Sequence, residues 1–261
     1  MKASCVLIAP EWAVTAAHVV QGKDWMAVED YRFVFGGQSF HAARVVIHPD
    51  VNRKMGAVTK GLARIASGVD LALVKLTKPI HNVRPAVRYR GRAEIGKVIT
   101  KVGHGMVGDG MAGIDQPFVQ ERRGGNNRID AVGGVFGDLA VSDRVLLADF
   151  DSPVDSESSR LGDSKPLEFE IGFSRGDSGG GWFIQDDSDG GAWKLVAVTS
   201  GWVPPDGNPY DTENNTDAYG TIGAGMRISA LNSWIDGAID TPSAESRPTE
   251  ESISRDGPVC R

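Results

Sequence analysis

What this chain has little of narrows its class first. It holds two cysteines, Cys5 and Cys260, near opposite ends. Two cannot build the disulfide framework of a small secreted domain, and no Cys-x-x-Cys spacing is present for redox chemistry or zinc. A Cys5–Cys260 bridge is the one pairing open, and the loose composition around Cys260 argues against it. No stretch approaches the ~18 consecutive apolar residues of a membrane-spanning helix. Positive charge is not in excess: the formal net charge is −6, which excludes the basic footprint of a nucleic-acid binder. Met1 to Cys5 carry no apolar run or cleavage site of a signal peptide, so the redox compartment stays open.

Glycine, in contrast, is abundant, and it punctuates short β-type runs together with Pro, Asn and Asp. Val6–Ile8, Trp12–Thr15, Tyr31–Phe35, Arg44–Ile47 and Leu71–Leu76 read as strands rich in β-branched and aromatic residues. Pro79 and Pro85 mark a crossing, and a second set follows: Val98–Val102, Arg144–Phe150, Leu167–Ile171, Trp182–Ile184, Leu195–Thr199 and Gly225–Ile228. No strong helix-period segment separates these runs, which excludes a βαβ architecture and favours two antiparallel barrels. One helix is expected late, capped by Ser229, with Leu231, Trp234, Ile235, Ala238 and Ile239 on one face and Pro242 preventing continuation. The expected organisation is all-β: a first lobe over 1–93, a second over 94–240 that ends in the short helix, and a polar, disordered tail over 241–261.

The chemistry concentrates in Gly176-Asp177-Ser178-Gly179-Gly180. A serine nucleophile needs an accessible hydroxyl, a base and backbone N–H groups aimed at a developing oxyanion, and glycines let the main chain come close enough. The pentapeptide also satisfies the G-x-S-x-G elbow of α/β-hydrolases, in which the histidine follows the serine. All five histidines here (His18, His41, His48, His81 and His104) precede Ser178, so that reading fails. Thr15-Ala16-Ala17-His18 ends a strand in small residues that leave an imidazole accessible. Asp70 opens the run Leu71–Leu76, where a carboxylate can accept from the imidazole Nδ1–H.

This order of His18, Asp70 and Ser178 resembles that of the trypsin/chymotrypsin-like serine peptidases, and the likeness runs from about Cys5 to Ile239. Val6-Leu7-Ile8 through Trp12-Ala13-Val14-Thr15-Ala16-Ala17-His18 resembles the family's segment around its histidine. Val45–Pro49, Val102-Gly103-His104-Gly105 and Met226–Ile235 resemble, in turn, the turn before the aspartate, the strand opening the second barrel, and the final strand with its closing helix. The resemblance implies two six-stranded-type β-barrels, the first here lacking its N-terminal strand. It implies a serine endopeptidase working through an acyl-enzyme, with His18, Asp70 and Ser178 as triad and the N–H groups of Gly176 and Ser178 as oxyanion hole. It implies a polypeptide substrate, no cofactor or metal, no nucleic-acid or membrane partner, and a secreted or extracytoplasmic location. A non-catalytic homologue that binds a partner through the cleft is the alternative.

Three departures accompany the resemblance. Asp177 commonly meets an N-terminal ammonium in the family, but no Ile-Val-Gly-Gly-like start is present. Val19 stands where the family often has a cysteine after the histidine. The missing strand would leave an unpaired edge. For specificity, the resemblance puts Gly172 at the pocket base, with Gly201 and Gly223 as walls and Phe173 as added apolar surface, so an uncharged P1 side chain is expected. Asp149–Asp151, Asp186–Asp189 and Asp206–Asp217 are acidic enough for calcium but lack EF-hand spacing, and the remaining histidines lack zinc spacing.

Overall fold

The computed structural model describes residues 2–21, 27–51, 62–116, 121–136, 139–203, 218–241 and 259–260. The first lobe contains β1 (Lys2–Ala3), β2 (Val6–Ala9), β3 (Trp12–Thr15), β4 (Arg32–Phe35), β5 (Gln38–Ile47) and β6 (Ala72–Leu76). The second contains β7 (Val87–Arg88), β8 (Val98–Gly103), β9 (Val107–Asp109), β10 (Gly113–Gln116), β11 (Arg123–Arg128), β12 (Ala131–Phe136), β13 (Leu139–Asp149), β14 (Gly181–Asp186), β15 (Ala192–Val203) and β16 (Ile222–Arg227). The last strand, β17, is Val259–Cys260. Among the described residues the α-helices that accompany them are α1 (Ala17–Val20), α2 (Leu62–Ser67) and α3 (Ile228–Asp240). The architecture is that of a double β-barrel with a closing C-terminal helix. None of the described helices is long and apolar enough to cross a membrane.

Strand alternation explains how the lobes adhere. In β6 and the residue before it, Ala72, Val74 and Leu76 enter the first lobe's core, whereas Leu71 and Leu73 point the other way. Ala13 and its neighbours Trp12 and Val14 divide in the same manner. In β13, Val145 and Leu147 meet that second face, and Leu146 and Ala148 enter the second lobe's core. The shared cluster, with Met226, Ile228, Leu231 and Ile235, joins the sheets back to back. At ~25 cal/mol per Å² of apolar area removed from water, such an interface holds the lobes in fixed relation, which a site built from both requires.

Four features differ from the sequence-based expectation. Leu167–Ile171 is a loop rather than a strand, with Phe169 at φ 54° and Glu170 bridging Asn126. Ser229 does not cap α3: Arg227 holds that position, and the Ser229 hydroxyl donates to Glu94 Oε1 at 2.6 Å. Val87–Arg88, inside the expected first lobe, pairs with β15 of the second sheet. The fourth concerns the missing strand. The first sheet runs β1-β17-β4-β5-β6-β3-β2, so a segment of the tail lies between the chain's first strand and β4. Val259 and Cys260 pair in parallel with Lys2 and Ala3 on one side and with Arg32 and Phe33 on the other.

Candidate active site

Each side chain of interest sits where a regular element ends. Strand β3 runs into α1 through Ala16 and Ala17, both wholly buried, and His18 follows within the first turn. Small residues are required there because the helix packs directly on the barrel. Gly68, at φ 67°, ends α2, and two residues later Asp70, fully buried, leads into β6. His18 donates its backbone N–H to Asp70 Oδ1 at 2.9 Å, and its Nδ1 lies 2.7 Å from Oδ2. On the far side of the ring, Nε2 is 3.0 Å from Ser178 Oγ. His18, Asp70 and Ser178 therefore form one hydrogen-bonded line across the two lobes.

Asp70 has two further neighbours that sequence reading did not single out. Ser200 donates its hydroxyl to Oδ2 at 2.5 Å. Arg64 of α2 places Nε 3.3 Å from the same oxygen. Burial alone would raise this carboxyl, but His18 outweighs it by charge and hydrogen bond, helped by Arg64 and then Ser200, and holds it at about 2 against an ordinary 3.8. A depressed carboxyl contributes stability that is present above its unfolded-state value and lost as the pH falls through about 2.

The Ser178 loop is shaped by close approach. Gly176 takes φ 99° and Gly179 φ 86°, backbone that side chains rarely adopt. A Cβ on Gly179 would also run into the Ser4 carbonyl oxygen and the Thr15 hydroxyl. Ser4, another residue the sequence did not mark, ties this loop to the first lobe. Its N–H donates to the Ser178 carbonyl at 2.8 Å, and its hydroxyl donates to the Gly176 carbonyl at 3.1 Å. Asp177 turns inward: Oδ1 accepts from Gly105 N–H at 2.9 Å and Oδ2 from Ser174 N–H at 3.0 Å. Burial pushes its carboxyl up, opposed by those two N–H groups, by the charge of Lys101 and by the Ser174 hydroxyl.

Beside this loop lies a cavity of about 330 Å³ bordered by Gly172, Phe173, Ser174, Asp177 and Lys101. Lys101 is buried, donates to the carbonyls of Ile171 and Gly172, and sets Nζ 3.8 Å from the Phe173 ring centroid. Gly201 and Gly223 do not border it. A Cβ on Gly223 would overlap the Phe173 ring, which fills that space and lies 5.3 Å from the Trp182 ring at an interplanar angle of 42°. Gly201 instead faces Ile65 and the Arg64 guanidinium.

The acidic segments are mostly engaged with the chain itself. Asp149 Oδ2 accepts from the N–H groups of Arg160 and Leu161, at 2.6 and 2.9 Å. Asp186 accepts from Ser188, and Asp189 pairs with Lys194. Among the described residues no group of three His, Cys, Asp or Glu converges as metal ligands, and Asp206–Asp217 lies outside the described residues. Burial and the Asp149 charge push Asp130 up. Because its carboxyl is raised in the fold, its contribution is present at low pH and lost as the pH rises through the raised value. Asp130→Asn, which keeps an oxygen to accept the Asp149 N–H, is therefore expected to raise Tm at pH 8 and leave it unchanged at pH 4. Equal shifts at both values would exclude this account.

The fold and this site define a serine-protease-like protein. The family model described as Trypsin matches residues 2–164, and the chain belongs to that family. The matched span carries His18 and Asp70 and ends before Ser178. No curated protein matches the chain. Members of this family act on peptide substrates and are usually secreted or extracellular.

Proposed function

We propose that this chain is a serine endopeptidase that cleaves peptide bonds through an acyl-enzyme intermediate. The observation that carries this reading is the unbroken line from Ser178 Oγ through His18 to Asp70, with both contacts at hydrogen-bond distance. Ser178 Oγ attacks the peptide carbonyl while His18 Nε2 takes its proton. Asp70 holds the imidazole by Nδ1 and by its backbone N–H, and stabilises the imidazolium that forms. The carbonyl oxygen becomes an oxyanion at the N–H groups of Gly176 and Ser178. The imidazolium then returns its proton to the departing amine, and water repeats the sequence to release the acid and restore Ser178. Asp177 supports the hole from within through the N–H groups of Gly105 and Ser174.

A fluorophosphonate probe tests this reading, because it phosphonylates only a serine activated by its base. The protein is expected to label, and Ser178→Ala is expected not to. A wild-type protein that never labels would leave the alternative of a non-catalytic homologue binding a partner through the cleft. We assign an extracytoplasmic location on the same family grounds.

For specificity, we propose a small or apolar P1 side chain bound near Gly172 and Phe173. The carboxylates that border that space, Asp109, Glu170 and Asp177, already accept from backbone N–H groups, and the buried Lys101 ammonium lines it too. Burying an unpaired cation there costs on the order of several kcal/mol, so cleavage after Arg or Lys should fall well below cleavage after Ala, Val or Leu. A peptide library reads this directly, and preferential cleavage after Arg would remove Gly172 from the pocket.

A further inference from the structure

Arg64 has no place in the mechanism so far, yet its guanidinium reaches the buried centre of the site. Its Nη2 donates to the Ser200 carbonyl at 3.3 Å, and its Nε lies 3.3 Å from Asp70 Oδ2. That oxygen already accepts from His18 Nδ1 at 2.7 Å and from the Ser200 hydroxyl at 2.5 Å. Nε makes no hydrogen bond in a geometric sense, so its relation to Asp70 is one of charge. The arrangement is built by several local features. Ser67 Oγ donates to the Arg64 carbonyl at 2.6 Å, and Gly68 ends the helix. A register shift between Thr199 and Gly201 on β15 accompanies the turning of Ser200 toward Asp70. A Cβ on Gly201 would lie 3.3 Å from Arg64 Nη2 and 3.0 Å from Ile65 Cδ1, so glycine gives the guanidinium its room.

We infer that Arg64 is a positioning residue for the proposed hydrolysis: it braces Asp70 against Ser200 across the lobes and shares the Asp70 charge with His18. This rests on the peptidase reading. One carboxylate facing two cations stabilises each less than it would stabilise one alone. With Arg64 in place the imidazolium does not have the whole of the Asp70 carboxylate to itself. The cost is a weaker hold on the imidazolium during turnover. The charged groups that face Asp70 are His18 from α1 and Arg64 from α2. From β13, packed beneath α2, Arg144 lies 3.9 Å from Asp50 in an ion pair of its own, and β15 presents Ser200. A side chain that only filled space would leave the pH dependence unmoved.

Two variants separate charge from packing. Arg64→Gln keeps a donor for the Ser200 carbonyl and removes the charge, and Arg64→Lys keeps the charge. The readout is the acidic limb of kcat/KM against pH, and of the fluorophosphonate labelling rate. The Gln variant is expected to move the midpoint upward by roughly half to one pH unit, a fraction of the effect of a fully desolvated neighbouring charge. The Lys variant should stay at the wild-type midpoint. An unmoved or downward midpoint in Gln, or an upward shift in Lys equal to that in Gln, would overturn the inference. Should the Gln variant not fold, an upward shift in Lys alone overturns it, and an unmoved one upholds it. If the wild type neither turns over nor labels, the peptidase reading fails by itself. Titration of the His18 ring proton by NMR then reads the same predicted displacement without catalysis.

Discussion

Replacing Ser178 or His18 with alanine is expected to lower kcat by roughly 10⁴–10⁶, and the double variant should be hardly worse than either single one. The reason is geometric. Ser178 Oγ and His18 Nε2 stand 3.0 Å apart and share one proton transfer, so losing either group removes the whole event. Losses that multiplied would mean the two act independently and would dissolve the assignment. Asp70→Asn should be severe as well, since the amide would face His18 Nδ1, Ser200 and Arg64 with one acceptor fewer and disfavour the tautomer that leaves Nε2 basic. Unchanged hydrolysis in that variant would remove Asp70 from the site. Thermal unfolding should accompany these kinetics. Ser178→Ala should melt near the wild type, whereas Asp70→Asn leaves buried donors competing for one oxygen and should melt lower.

Much of this site was legible in the sequence because its constraints are local. Ala16 and Ala17 must be small to pack the turn that carries His18, and Gly176 and Gly179 must be glycine to adopt positive φ. The near-continuous apolar run from Leu71 to Leu76 is the ordinary signature of a strand buried on both faces. The residues that escaped notice act at long range. Arg64 and Ser200 are unremarkable in their own segments and acquire meaning only when α2 and β15 meet over Asp70. Ser4 is invisible for the same reason, since it bonds Gly176 at a separation of 172 residues. Leu167–Ile171 has strand composition but curls, as Asn126 and the Glu170 carboxylate satisfy its backbone. The gap in the first sheet followed from counting runs from the start of the chain, and the strand beside β1 and β4 comes from the opposite end.

Asp177→Ala is expected to be damaging, though less so than the loss of a triad member, even though Asp177 touches no substrate atom in the proposed mechanism. Its carboxylate is buried and accepts from the N–H groups of Gly105 and Ser174, which lie on different segments of the second lobe. Alanine would leave two buried donors unsatisfied, at a cost of about 1–3 kcal/mol each, and the loop would move to recover partners. Gly176 and Ser178 flank position 177, so movement displaces both N–H groups aimed at the oxyanion. Loss of one such donor alone costs roughly 10²–10³ in kcat. The His18 side of the His18–Ser178 contact is held from the first lobe by β3 and α1, and the Ser4 N–H still holds the Ser178 carbonyl. The variant should therefore keep a weakened reaction with fluorophosphonate while kcat for peptides falls by at least roughly 10², with KM changing far less. Asp177→Asn should recover little, because its amide would present N–H to one of the two backbone donors. A variant whose KM rose while kcat held would place Asp177 in substrate binding instead, and the oxyanion loop would then owe its shape to Ser4 and the glycines alone.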